Sequence, residues 1–143
     1  MILLDANVLV YALGTPHPLQ ESSERVLEAI RDGRVRAGTI DAVYIEFLHA
    51  FSRRRPRALA AAAARAYVEL LGPPLDIVVT DRELALDLFE RHERLSPVDA
   101  VLAAVAARTE IEALVTPDAD FGSVPEIRVL DPRSPELEML LDQ

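Results

Sequence analysis

Short apolar runs in this chain stop at, or close around, carboxylates, and that pairing constrains its fold more than any other feature. Ile2-Leu3-Leu4 runs straight into Asp5. Glu46 lies inside Ala42-Val43-Tyr44-Ile45-Glu46-Phe47-Leu48, and Asp99 interrupts Pro97-Val98-Asp99-Ala100-Val101-Leu102. Asp118 follows Ala113-Leu114-Val115-Thr116 after a single proline. A carboxylate taken out of water is costly unless its charge is compensated. Carboxylates that converge repel one another, and a divalent cation between them removes that repulsion. The fold must therefore either keep these acids apart at solvent or gather them around a metal.

The apolar runs are short, continuous and abruptly bounded, as buried strands are. Ile2–Leu4, Val35–Ile40, Ile77–Val79, Leu114–Val115 and Ile127–Leu130 read as strands. Between them the apolar spacing is helical. Asn7–Leu13 predicts a helical turn, broken by Gly14-Thr15-Pro16-His17-Pro18. Glu21–Arg31 predicts a helix with Val26, Leu27 and Ile30 on one face, ended by Asp32-Gly33. Asp41–Arg54 predicts another, with Val43, Phe47 and Ala50 aligned and Pro56 as its stop. Ala-rich Leu59–Leu71 follows, before Gly72-Pro73-Pro74. Thr80 or Asp81 is then expected to cap a helix carrying Leu84, Leu88 and Phe89 inward. Ser96-Pro97 predicts a further helix start, with serine at the cap and proline at the first helical position. Ser134–Leu141 is expected to close the chain as a helix.

Strands alternating with helices indicate the α/β class, with a central parallel sheet flanked by helices on both faces. In such sheets ligands gather at the carboxyl ends of the strands. Asp5 and Asp118 fall just past predicted strand ends, and Asp99 falls in the first turn of a helix entering at that edge. Glu46, about one turn into its helix, can reach the same rim. Each acid also has a plain structural reading. Asp5 can cap the next helix, Asp99 can serve the helix dipole, Glu46 can be solvated, and Asp118 and Asp120 can be turn residues. The four together fit those readings less well, because all are expected at one edge.

Composition removes competing chemistries. The chain has 143 residues, half of them hydrophobic, which suits one globular domain over 1–143. With no cysteine there is no thiolate metal site, disulfide frame or cysteine nucleophile. All 15 basic residues are arginine, so lysine-dependent phosphate loops, Schiff bases and serine–lysine dyads are excluded. The same lack of lysine counts against a phosphoacceptor receiver domain. His17, His49 and His92 are dispersed and match no zinc spacing; each reads as a surface or packing residue. A net charge of −9 argues against a general nucleic-acid binder. The dense run Arg53-Arg54-Arg55, with Arg57, is an exception, being either a solvated helix end or a phosphate contact. No basic start leads into a long apolar stretch, and no run is long enough to cross a bilayer, so a cytoplasmic protein without a membrane segment is expected.

Read together, the segments resemble the PIN domain. The likeness rests on Met1-Ile-Leu-Leu-Asp-Ala-Asn-Val-Leu-Val-Tyr-Ala12, on Glu46 in its helix, on Leu95-Ser-Pro-Val-Asp-Ala-Val-Leu-Ala-Ala104 and on Leu114-Val-Thr-Pro-Asp-Ala-Asp-Phe121. The size is that of single-domain members such as the toxins of VapBC toxin–antitoxin pairs. The resemblance implies a three-layer α/β/α fold and a metal-dependent ribonuclease. Asp5, Glu46, Asp99 and Asp118 take the catalytic and metal-ligating positions, with Asp120 as a fifth acid. Asn7 and Thr116 take supporting positions, and Thr39 stands where a small hydroxyl residue is common. It further implies one or two Mg²⁺ or Mn²⁺ ions, an RNA substrate, a cognate antitoxin and a homodimer. The segment from Arg53 to Asp76 matches no motif, and Arg53, Arg54 and Arg55 are expected to contact the RNA backbone on their charge alone. A nuclease of RNA processing outside a toxin pair, or a PIN-like binding module with little catalysis, carries the same motifs.

Overall fold

A computed structural model describes residues 1–14 and 16–143. Thr15, part of the predicted break after the first helix, lies outside the described residues. The elements run β1 (Ile2–Leu4), α1 (Ala6–Leu13), α2 (Gln20–Arg31), β2 (Ala37–Gly38), α3 (Asp41–Phe51), α4 (Arg57–Leu71), α5 (Val79–Arg91), α6 (Pro97–Arg108), β3 (Ala113–Val115), β4 (Val129–Leu130) and α7 (Pro135–Leu141). A 3-10 turn, Ala119–Ser123, lies between β3 and β4.

All strand pairings are parallel, in the order β2-β1-β3-β4. Leu3 stands opposite Gly38 on one side and Leu114 on the other, and Leu4 stands opposite Val115. Every residue of β1 and β3 is fully buried, so both sheet faces are covered by helices. That is why these strands are continuous apolar runs and do not alternate. The order reverses between β1 and β3: the chain leaves β1 for β2 on one side, and returns to β3 on the other. A crevice outside the carboxyl ends is expected at such a reversal.

Packing fixes which helices line that crevice. Helix α3 packs against α1, α4 and α6, and α6 packs against α5 and β3. The close approach of α6 is made by small residues: Ala100, Ala103, Ala104 and Ala106 are buried beside Leu102 and Val105. Tyr67 of α4 donates its buried hydroxyl to the Leu9 carbonyl of α1 at 2.7 Å and meets Phe47 of α3 edge-on. Gly33 and Gly72 follow α2 and α4 with positive φ (74° and 77°), the conformation in which glycine ends a helix without strain.

Four expectations need correction. Ile77–Val79 is not a strand; these residues are exposed and Val79 begins α5. Their β-branched character favours extended backbone, and Val78 is extended, but no strand of the sheet pairs with them. Neither Thr80 nor Asp81 is the cap of α5. The cap is Val78, and Asp81 sits inside the first turn, accepting from the Val78 N–H at 2.9 Å. Phe89 is exposed, while Leu88 carries the inward packing. Helix α3 stops at Phe51, short of Arg54. The other predicted elements stand where expected, with Val35–Ile40 reduced to the two residues of β2.

Candidate metal centre

Asp5 leaves the carboxyl end of β1 and caps α1, its Oδ1 accepting from the Ala6 N–H at 2.7 Å. Capping and site membership are therefore not alternatives for this residue. Its other oxygen, Oδ2, accepts from the Thr116 hydroxyl at 2.7 Å and from the Asn7 amide at 3.5 Å. The carboxylate is only 3% exposed. Thr116, equally buried past the end of β3, accepts from the Asp118 N–H at 3.0 Å. One hydroxyl thus fixes the orientation of Asp5 and the backbone that presents Asp118.

Asp99 is the third residue of α6, and its N–H donates to the Ser96 hydroxyl at 3.1 Å. Proline at the first helical position and serine at the cap define this helix start, which sets Asp99 at the sheet edge. Glu46 comes from the second turn of α3, which lies against both α1 and α6. One ligand oxygen each from Asp5, Glu46 and Asp99 lie within 4.8 Å of one another. Asp118 falls outside that set, capping the 3-10 turn by accepting from the Asp120 N–H at 2.9 Å. It is still near enough for its charge to raise both Asp5 and Asp99. Asp120 adds to the field on Asp99 and pairs with Arg94 at 3.7 Å.

Burial is the main force on these acids. It raises Asp5 from 3.8 to about 6; the charges of Asp99 and Asp118 add to the rise, against the Thr116 and Ala6 hydrogen bonds. Burial, with Asp99 and Asp5 nearby, raises Glu46 from 4.5 to about 7. Asp99 is raised too, by burial and by Asp118 and Asp120. Among the described residues no arginine pairs with Asp5, Glu46, Asp99 or Asp118. A donor set made only of carboxylate oxygens suits a hard divalent cation, which would remove the repulsion that raises all three groups.

Thr39 plays a different part from the acids. Its hydroxyl is buried and donates to the Leu4 carbonyl at 2.8 Å, tying β2 to the end of β1 directly before Asp5. Arg53, Arg54 and Arg55 lie beyond α3 and do not touch the acids. They line a groove of about 430 Å³ that Asn7 also lines. Tyr11 and His17 line the same groove, and no motif in the sequence singles them out. Tyr11 was detectable, since it lies one helical turn from Asn7 and so shares its face. His17, beyond the break, had no such signal.

The PIN domain family model matches residues 2–127. The chain is 39% identical over 131 residues to Ribonuclease VapC7 of Mycobacterium tuberculosis, covering 89% of this chain and 88% of that protein. Two solved structures share the fold at a TM-score of 0.70. One is a toxin–antitoxin complex from Klebsiella pneumoniae, 18% identical over 94% of this chain and 99% of that one. The other is VapBC2 from Rickettsia felis bound to a promoter DNA fragment, 20% identical over 92% of this chain and 98% of that one.

Proposed function

The chain belongs to the PIN domain family, and from that premise we propose that it is a metal-dependent ribonuclease, the toxin of a VapBC-type toxin–antitoxin pair. One observation carries the reading: Asp5, Glu46 and Asp99 bring ligand oxygens within 4.8 Å of each other with no arginine to neutralise them. A fold with only a scaffolding task has no reason to gather partly buried acids in this way. The name of the mycobacterial relative supports the ribonuclease, and the two toxin–antitoxin assemblies support an antitoxin partner. The remaining parts of the reading are residues 1–143 as one domain, a homodimer, a cytoplasmic setting and Mg²⁺ or Mn²⁺ as the metal.

The reaction is hydrolysis of an RNA phosphodiester. Asp5, Glu46 and Asp99 would hold a divalent cation, with Asp118 beside them and Asp120 at the margin. The cation supplies Lewis acidity, lowering the pKa of water and stabilising charge on the phosphoryl group. Thr116 and Asn7 hold the Asp5 carboxylate in one orientation, so that it does not have to reorganise during the reaction. Glu46 would ligate the cation directly or through water, or position the attacking water. Arg53, Arg54 and Arg55 draw the RNA backbone toward a centre that would repel it without metal.

Purified protein with Mn²⁺ should cut structured RNA, and both chelation and Asp5→Asn should abolish the cutting. Activity that survives both treatments rules the mechanism out. Induced expression should arrest growth, and co-expression of an adjacent antitoxin gene should relieve the arrest. A processing nuclease would cut RNA without that rescue.

A further inference from the structure

The groove that Asn7 lines lies between α1, which Asp5 caps, and the end of α3, which carries Glu46. Asn7 and Tyr11 stand one turn apart on α1, so the wall that steadies Asp5 continues outward to an aromatic ring. The other wall is formed by Ala50 and Phe51 at the end of α3 and by the arginines that follow it. Asn7, whose amide reaches Asp5, therefore also lines the groove, whose volume of about 430 Å³ is that of a small-molecule site.

Its walls combine two unlike features. Tyr11 and His17 are stacked at 4.1 Å between ring centroids and 13° between planes. His17 is the exposed member, and its ring is fixed because Nδ1 accepts from the Leu19 N–H at 3.1 Å. That bond leaves Nε2 as the protonated nitrogen of the neutral ring. Opposite are three arginines with no carboxylate partner among the described residues. Arg53 bonds to His49 Nε2 at 2.9 Å, and Arg55 sits 5.2 Å over the Phe51 ring. Arg34, Arg91, Arg108 and Arg133 all pair with carboxylates. In a chain of net charge −9, three adjacent arginines left free on one wall are available to an external anion.

We propose that this groove is a nucleotide subsite, in which an unpaired base extends the Tyr11–His17 stack and the adjoining phosphate is held by Arg53–Arg55. The proposal rests on the ribonuclease reading and adds to it where the chain flanking the cut bond is gripped. Flat aromatic faces beside a basic wall are how proteins hold single-stranded nucleic acid, because every base has a face to stack and every link has a phosphate. The guanidinium fork matches phosphate oxygens. An acidic peptide would satisfy the arginines and leave the stacked rings unused.

The test is binding, separated from cutting. The Asp5→Asn protein with Mg²⁺ is titrated with a short single-stranded RNA and with the same strand in a duplex. The chain has no tryptophan, and Tyr44 and Tyr67 are buried, so tyrosine fluorescence reports mainly on Tyr11. The single strand should quench this signal and bind more tightly than the duplex. His17→Ala should raise Kd about tenfold, and His17→Phe, which keeps a ring, should restore it. Replacing Arg53–Arg55 by glutamine should lower the slope of log Kd against log salt by about 0.7 for each phosphate no longer neutralised. Equal binding of single strand and duplex overturns the proposal, as does indifference to His17→Ala. Polyglutamate that binds as tightly as RNA, with the same dependence on His17, assigns the groove to an acidic peptide and also overturns it. If the wild type cuts RNA while groove variants bind normally, the nuclease stands and the subsite falls. If binding depends on the groove but cutting does not depend on Asp5, the subsite stands and the proposed metal chemistry falls.

Discussion

Thr116 is a neutral residue on which two acids depend. Its hydroxyl donates to Asp5 and accepts from the Asp118 backbone, and no water replaces it at 2% exposure. Thr116→Val keeps the shape and removes both bonds. The hydrogen bond to Thr116 holds the Asp5 pKa down, so its loss should push that carboxyl above its present value of about 6. The unpaired Asp118 N–H, and Asp5 Oδ2 left with only the 3.5 Å Asn7 contact, should lower stability by about 1–3 kcal/mol. Mn²⁺ affinity should fall on the order of tenfold, as when an outer partner of a ligand is lost. Calorimetric titration of folded Thr116→Val checks this, and unchanged Mn²⁺ affinity would remove Thr116 from the centre. The residue was legible only through the family resemblance, which gives it a supporting position. Its two simultaneous bonds were not, because they depend on β1 and β3 being neighbours.

At the level of elements, helices were legible and strand partners were not. Ser96-Pro97 placed the start of α6, and with it Asp99, because the cap is a local interaction. Ile77-Val78-Val79 misled because a preference for extended backbone makes a strand only when another strand pairs with it, which the segment itself does not reveal. The structure uses this segment to start α5 instead, and anchors it through Asp81. That carboxylate is 1% exposed and accepts from Arg108 Nε, near the end of α6, at 2.7 Å. It ties the first turn of one helix to the last turn of its neighbour. Burial alone would raise Asp81, but the Arg108 hydrogen bond, the Val78 N–H and the Arg108 charge together hold it below its ordinary range. A lowered carboxyl stabilises above its unfolded pKa and loses that contribution as pH falls through the folded value. Asp81→Ala should therefore cost about 3 kcal/mol near neutrality, from a broken buried pair, and much less in acid. Urea unfolding at both pH values tests it, and an equal loss at each would contradict the ion-pair account. Because α6 carries Asp99, the same variant should also weaken metal binding.

Across the whole molecule, the convergence of the acids follows from topology more than from any motif. The order β2-β1-β3-β4 puts the ends of β1 and β3 side by side, and α3 and α6 bring Glu46 and Asp99 to the same crevice. The alternation of runs implied this edge. It did not give the phase of α3, the position of Asp118 outside the closest three, or the arginine groove. Those depend on how separate helices pack. The assembled centre makes stability depend on pH in an unusual direction. Without metal, Asp5 titrates at about 6 and Glu46 at about 7, against ordinary values of 3.8 and 4.5. The folded state then binds these protons more tightly than the unfolded state does. Stability should therefore be highest, as far as these groups decide it, below the unfolded values, and should fall as pH rises through the folded ones. A cation reverses the trend, because it binds the ionised acids and must displace protons at lower pH. At about 100 times its Kd it should add about 2.7 kcal/mol. Melting curves at about pH 5 and about pH 8, with and without Mn²⁺, should show a metal-free protein that weakens toward the higher pH and a metal effect that grows. Calorimetry between them, in buffers of different ionisation enthalpy, should show proton release on Mn²⁺ binding that fades above about pH 8. A metal shift of the same size at both ends, without proton release, would mean that the ion binds somewhere other than Asp5, Glu46 and Asp99.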